Sequence, residues 1–348
     1  MSSDPEQKEP ISRTSSPPAT KEIDRVLYSV RYVVQNPSES INTVKISPDG
    51  KSMATCSSNG VIRVYELASG TLKQELRGHT RGVSDVDFLP INSDILVSGS
   101  DDLTVRLWSI SRGKCLKILR KHTYHVTTVR FTSRGSILLS GSADETITIW
   151  DLTSGKTLRT LSAHSDPISS VALTPDDTII VSGSYDGLMR LFDLETGYCL
   201  KTLVYNSASQ GTATASTSDV VNFPISYVNL SPNGKYILSS SLDGAIRLWD
   251  YMDNKVIKTY LGVGDEPNIS TKYTCETCFV TCTETPLIAS GSESSGLLFW
   301  DVQSKKIVCQ LKVSEGAVLG VTSHEDGKVV VCSDSHGTVT VLDINDTA

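Results

Sequence analysis

The 348-residue sequence predicts an all-β protein, a seven-bladed β-propeller closed by its N-terminal strand. Three observations carry that expectation. The first is a unit, LVSGSDDLTVRLWS at Leu96 to Ser109. It returns as LLSGSADETITIWD ending at Asp151, IVSGSYDGLMRLFD at Asp193, ILSSSLDGAIRLWD at Asp250 and IASGSESSGLLFWD at Asp301. Two looser copies, MATCSSNGVIRVYE ending at Glu66 and VVCSDSHGTVTVLD ending at Asp343, bring the number to seven. The second is the spacing of the aromatic or its substitute, at Tyr65, Trp108, Trp150, Phe192, Trp249, Trp300 and Leu342, in steps of 43, 42, 42, 57, 51 and 42 residues. Units with such a period cannot bury their faces alone and stack on their neighbours. The third is the strand VLYSVRYVV at Val26 to Val34, which has no hairpin partner, set against a last unit that stops after Val339 to Ile344, one strand short of four. Pairing the two closes the ring and removes an exposed edge.

The period and the terminal Trp-Asp are those of WD40 repeats. Each unit reads as four strands. In the second, Val83 to Phe88 is the inner strand, Leu89 to Ser93 a turn, and Ile95 to Ser98, Leu103 to Ser109 and Cys115 to Leu119 the remaining three. Ser47-Pro48-Asp49-Gly50 and Ser231-Pro232-Asn233-Gly234 have the residues of tight hairpin connections. The propeller is expected over residues 25–348. Residues 1–24 are rich in Ser, Pro, Glu, Lys and Thr and poor in large apolar residues, and are expected to form a disordered tail, with Ser15-Ser16-Pro17 a weak phosphorylation pattern. Two insertions break the period, 204–222 and 262–272, each where an outer strand hands over to the next inner strand. Both are expected as surface loops, the first mobile.

A polar set recurs with the units. His79, Ser98, Asp102 and Trp108 in the second blade match His122, Ser140, Asp144 and Trp150 in the third, and His164, Ser182 and Asp186 in the fourth. This pattern predicts a buried hydrogen-bond network, because an aspartate among strands is costly unless paired. Recurrence in successive blades argues against a Ser–His–Asp catalytic triad, which would occur once. Asn59, Ser294 and His336 replace the aspartate in the first, sixth and seventh blades, which are expected to be less rigid.

Charged residues make up 20% and the net charge is −7, which argues against autonomous nucleic-acid binding. No apolar run approaches a membrane span, the N-terminus has no apolar signal core, and the eight cysteines are expected as reduced thiols. Cys275 and Cys278 have CxxC spacing with Cys282 close by, but no second pair or nearby histidine completes four ligands, so no metal is expected. No P-loop, dinucleotide, zincin or kinase signature is present, and no cofactor is expected. The inner-strand ends read mainly as Ser, Thr, Val and small residues, against the clustered carboxylates a propeller enzyme would carry in its funnel. A non-catalytic scaffold is the expectation.

Several segments resemble one family: Leu161-Ser162-Ala163-His164-Ser165-Asp166-Pro167, Ser184-Tyr185-Asp186-Gly187-Leu188, Gly197-Tyr198-Cys199-Leu200-Lys201-Thr202-Leu203, and Ser231-Pro232-Asn233-Gly234-Lys235-Tyr236-Ile237-Leu238. They are similar to the WD40 subunit of SET-domain histone methyltransferase complexes, COMPASS in fungi and MLL complexes in animals. The inserted loops suggest a fungal version. The resemblance implies a nuclear, non-catalytic core subunit of the complex that methylates the fourth lysine of histone three. It implies a SET-domain catalytic subunit, a second WD40 subunit and the histone tail as partners of a monomeric propeller. The runner-up is a WD40 adaptor of another complex, in RNA processing or as a ubiquitin-ligase substrate receptor.

The resemblance also implies two sites on opposite faces. A central socket takes an arginine, and Ser84, Asp101, Tyr185 and Tyr273 match its lining. Thr127 and Glu276 stand where the family clamps the guanidinium between two phenylalanines, and Ala143 replaces a further aromatic. Losing the ring faces removes stacking, and Glu276 is expected to offer an ion pair instead. A cleft between the fifth and sixth blades takes a segment of the companion WD40 subunit. Asn233, Tyr236, Leu248, Phe279 and Gln303 match it, with Thr281 in place of a valine.

Overall fold

The computed structural model describes residues 27–36, 39–205, 222–281 and 285–345. They form seven four-stranded antiparallel sheets arranged as the blades of a propeller. From the first blade to the sixth, the inner strands are Ile41–Ile46, Val83–Phe88, Val126–Phe131, Ile168–Leu173, Ile225–Leu230 and Thr277–Val280. The outer strands are Leu72–Leu76, Lys114–Arg120, Lys156–Ser162, Cys199–Val204, Lys255–Tyr260 and Ile307–Leu311. The seventh blade runs from Val318–Ser323 through Val329–Asp334 and Thr338–Ile344 to the N-terminal strand Tyr28–Gln35.

That last pairing is the closure expected from the unpaired N-terminal strand, shifted one to two residues toward the C-terminus. Tyr28 lies opposite Ile344 and Gln35 opposite Thr338, with a bulge between Val30 and Tyr32. Tyr28 is fully buried, stacks on Phe299 with ring centroids 4.9 Å apart, and donates to the Gly327 carbonyl at 2.6 Å. Arg31 forks onto both carboxylate oxygens of Asp343.

The core is a set of seams between blades. Ala54, Ile62 and Val64 of the first blade pack with Val86, Phe88 and Trp108 of the second, and the pattern repeats around the ring. Second strands are therefore buried on both faces, as in Leu96 to Ser100, and read as near-continuous apolar and small residues. Outer strands alternate exposed and half-buried residues, as in Lys114–Arg120.

Three blades carry the repeated polar network. His79 Nδ1 lies 2.8 Å from Asp102 and Nε2 lies 2.7 Å from Ser98 Oγ, which accepts the Trp108 indole N–H at 2.8 Å. His122, Asp144, Ser140 and Trp150 repeat it at 2.9, 2.7 and 2.8 Å. His164 bonds Asp186 at 2.9 Å and Ser182 at 2.8 Å, but Phe192 has no N–H to give. In the fifth blade Asp243 has no histidine, and Arg247 takes its place, bonding Asp243 and Ser241 while its guanidinium lies 3.6 Å from the centroid of the Tyr205 ring.

The blades without that aspartate hold their turns by other bonds. Asn59 Oδ1 accepts from Ser57 Oγ at 2.6 Å and from the Val61 N–H at 2.9 Å. Asp334 accepts from the His336 and Thr338 N–H groups at 2.9 and 2.7 Å. In the sixth blade Trp300 donates to the Leu261 carbonyl at 2.8 Å.

The tail at 1–24 and most of the first insertion, 206–221, lie outside the described residues; Val204 still belongs to a strand. The second insertion is tied down. Ile269 is buried, its N–H donates to the Gly244 carbonyl at 3.3 Å, and its carbonyl accepts from Glu293 N at 2.9 Å and Ser292 Oγ at 2.9 Å. Cys275 precedes the sixth inner strand and Cys278 lies on it. Both are buried, and burial pushes each thiol up to about 12. Cys282 lies outside the described residues, among which no cluster of His, Cys, Asp or Glu suits a metal ion.

Candidate protein-interaction site

Two faces follow from the strand order. Loops entering the inner strands share one face with the turns between second and third strands. Turns between first and second strands share the other face with those between third and fourth. At the start of six inner strands the register slips by one residue, as between Val83 and Asp85 and between Val126 and Thr128. Such a bulge re-aims the extra side chain. It turns Ser84 and Thr127 toward the mouth of the central channel on the first face.

Ser84 Oγ donates to Asp101 Oδ1 at 3.0 Å, and His125 Nδ1 lies 3.4 Å from the same oxygen. Thr127 Oγ1 donates to the Ile168 carbonyl at 2.6 Å, tying the third blade to the fourth rather than offering a free hydroxyl. Tyr185 is half-buried, and burial raises its phenol above the ordinary value. Tyr273 is exposed at the end of the second insertion, where its N–H and carbonyl both bond Ser270 Oγ.

Glu276 corrects the expectation placed on it. It is 7% exposed and already partnered. Oε1 accepts from Thr43 Oγ1 at 2.8 Å and Lys45 Nζ at 2.7 Å, and Oε2 accepts from the Val321 N–H at 3.3 Å. An incoming guanidinium would have to displace the lysine of the first blade to pair with it. Burial opposes the charge on Lys45, but Glu276 outweighs it and raises the ammonium above its ordinary pKa.

The inner strands are not mainly small residues. Lys45, Asp85, Asp87, Arg130, Tyr227 and Glu276 face the channel from five blades. Asp85 Oδ2 accepts from Thr128 Oγ1 at 3.1 Å, the Val129 N–H at 3.0 Å and Arg130 Nη1 at 2.6 Å. Arg130 Nη2 reaches Tyr227 Oη across the channel at 3.1 Å. Among the described residues Asp87 accepts only the Phe131 N–H, at 2.9 Å, and burial pushes its carboxyl up to about 6. The signal was present as polar residues two apart, DVD in one inner strand and TVK, TVR and YVN in others. Such alternation reads as a solvated face when the innermost position is ignored. Lys45 and Glu276 form one ion pair and Arg130 and Asp85 another, while Asp87 forms no ion pair among the described residues.

On the opposite face, Tyr236, Leu248 and Phe279 join one apolar cluster that bridges the fifth and sixth blades. Leu248 is buried, while Tyr236 and Phe279 keep part of their rings accessible. Asn233 caps its own turn, accepting from Ser231 Oγ at 2.7 Å and the Lys235 N–H at 3.1 Å. Gln303 is exposed in the next turn, and its carbonyl accepts from Lys258 Nζ at 2.9 Å. Thr281 Oγ1 donates to the Glu325 carbonyl at 3.1 Å. The arrangement is an apolar cluster with two partly exposed aromatic rings.

A profile of the WDR5 β-propeller domain matches residues 33–343. The chain is 36% identical over 103 residues to the nuclear distribution protein PAC1 of Ajellomyces capsulatus, over 29% of this chain and 23% of that protein. It is 34% identical over 105 residues to the nuclear distribution protein nudF of Aspergillus oryzae, over 30% and 23%. The matched stretch is thus about a quarter of the length of these curated relatives.

Proposed function

The chain belongs to the WDR5 β-propeller domain family, and from that premise we propose that it is the WD40 scaffold of a COMPASS-type histone methyltransferase complex in the nucleus. A WD40 propeller of this kind is a scaffold or adaptor for protein partners. In this reading it performs no chemistry. It holds a SET-domain subunit and a second WD40 subunit in one geometry, which lowers the entropic cost of assembling the active form.

The observation that supports the reading best is the cluster of Tyr236, Leu248 and Phe279 across the fifth and sixth blades. Asn233 and Gln303 are exposed in turns on the same face of the propeller, and in this reading they supply the polar contacts beside the rings. The central mouth is the weaker half. Glu276 is held by Lys45, and Thr127 is spent on the Ile168 carbonyl. The histone tail or a methyltransferase arginine would meet Asp101, Tyr185 and Tyr273 there.

A second reading, an adaptor of another assembly, is favoured by the likeness to the nuclear distribution proteins over part of the chain. Affinity purification of the tagged protein, with and without Tyr236→Ala plus Phe279→Ala, separates the two. Recovery of a SET-domain protein and a second WD40 protein, the latter lost in the double variant, is the expected result. Recovery of an unrelated assembly instead would sink the methyltransferase reading.

A further inference from the structure

The seven gaps between blades are built alike but not closed alike. On four outer strands the position fixed by register opposite the residue before the blade's aromatic bonds the turn that follows the third strand of the next blade, whereas Gln74 of the first blade turns its amide to the Glu75 carbonyl and the sixth blade has Cys309 there. In the second blade it is Lys117, opposite Leu107. Its ammonium donates to the carbonyls of Leu152 and Thr153 at 3.1 and 3.4 Å. In the fourth it is Lys201, which bonds the carbonyls of Tyr251 and Met252 at 2.8 and 2.9 Å. In the fifth it is Lys258, which bonds those of Val302 and Gln303 at 2.8 and 2.9 Å. In the seventh Tyr32 plays the part, its hydroxyl donating to the Leu67 carbonyl at 2.6 Å.

The third blade has Arg159 at this position, opposite Ile149. Arg159 is exposed and makes no hydrogen bond to the matching carbonyls of Leu194 and Glu195. The gap between the third and fourth blades opens instead into a groove of about 600 Å³. Ile137, Leu158 and Leu194 give it an apolar wall, and Leu158 is 53% exposed. Asp177, Asp193 and Glu195 line its rim against the single guanidinium of Arg159. The rim is therefore acidic, and the turn beneath it presents carbonyls that a lysine caps in three sister gaps.

We propose that the groove between the third and fourth blades is a docking site for an extended segment of a partner protein that carries a lysine between aliphatic residues. The ammonium takes the place at the Leu194 and Glu195 carbonyls that the protein's own lysines hold in three other gaps, and the carboxylates of the rim select for its charge. The aliphatic neighbours cover Leu158. This site is separate from the cleft at the fifth and sixth blades and does not depend on the identity of the partners there.

Short fluorescein-labelled peptides with one lysine flanked by leucine or valine, titrated into the full-length protein by fluorescence anisotropy, test the proposal. The wild type is expected to bind them and to reject the same peptides with glutamate in place of lysine. Arg159→Lys, which supplies the missing internal cap, and Glu195→Lys, which reverses the rim, are each expected to weaken binding about tenfold with the thermal midpoint unchanged. Both positions are exposed, so folding is not at stake. Equal binding by wild type and variants, or no binding by the wild type, overturns the proposal. Sedimentation supplies another overturning result: self-association of the wild type that Leu158→Asp abolishes would mean that a second copy covers the groove.

Discussion

Lys45 Nζ lies 2.7 Å from Glu276 Oε1, joining the first blade to the sixth past the inner strand of the seventh. Glu276 also accepts from Thr43 of the first blade and from the Val321 N–H of the seventh. The carboxylate thus spans the seam at which the ring is closed. Glu276→Gln leaves a buried ammonium without its counter-charge, and the expected cost is about 3–5 kcal/mol. Replacing Lys45 by Met in the same chain is expected to recover much of the loss. Urea unfolding of the two single variants and the double variant measures the coupling, and strictly additive losses would deny it.

Tyr28 is expected to be among the most sensitive positions of the N-terminal strand. Its ring is fully buried against Phe299 and its hydroxyl is bonded to Gly327. Tyr28→Ala opens a cavity and is expected to cost about 3–5 kcal/mol, whereas Val33→Ala, on the exposed side of the same strand, costs under about 0.5 kcal/mol. Thermal unfolding of both variants checks the contrast.

The histidine network predicts acid lability. Burial depresses the His79 pKa below its ordinary value despite the Asp102 partner. The unfolded chain then binds a proton first as pH falls below about 6.5, so stability declines there. Burial also works against ionisation of Asp102, but hydrogen bonds from Thr104 and His79 outweigh it and hold the carboxyl down at about 2. That second contribution is present above about pH 4 and is lost as pH falls toward the folded value. Denaturation midpoints taken between neutral pH and about pH 3 are expected to fall less steeply in Asp102→Asn.

Asp87 runs the other way. Its carboxyl, raised to about 6 by burial, binds its proton more tightly folded than unfolded. Stability from this group is present below about pH 4 and is lost as pH rises through about 6. Asp87→Asn keeps an acceptor for the Phe131 N–H, and is expected to stabilise the protein at neutral pH by about 1–2 kcal/mol and to do little at acidic pH. A variant less stable than wild type at neutral pH would show that the charged carboxylate is well accommodated in the channel.

The blades were legible because a repeat states each constraint seven times. Turn residues such as Ser231-Pro232-Asn233-Gly234, and the His79, Ser98, Asp102 and Trp108 set, occur at fixed offsets that local geometry demands. Even the closure was readable, as one strand too many before the first unit and one too few in the last. The channel was not. Asp85 pairs with Arg130 of the next blade and Glu276 with Lys45 of the first, and nothing in one unit says what it will face in another. Glu276 reads as an unpaired carboxylate for that reason: its partner Lys45 lies in the first blade, more than two hundred residues away. The unequal gaps are hidden likewise, since Arg159 and Lys201 look equivalent until the structure shows that only Lys201 reaches its neighbour's carbonyls.

The pairing of Tyr28 with Ile344 also sets a schedule. On the ribosome the strand Tyr28–Gln35 has no edge to join until Thr338–Ile344 has emerged. Each of the other six sheets can form as soon as its own four consecutive strands are out, and the seventh waits until Thr338–Ile344 has been made. A nascent chain stalled shortly before Thr338 would carry six finished blades and an idle N-terminal strand, open to capture by a chaperone or by the exposed edge of another unfinished copy.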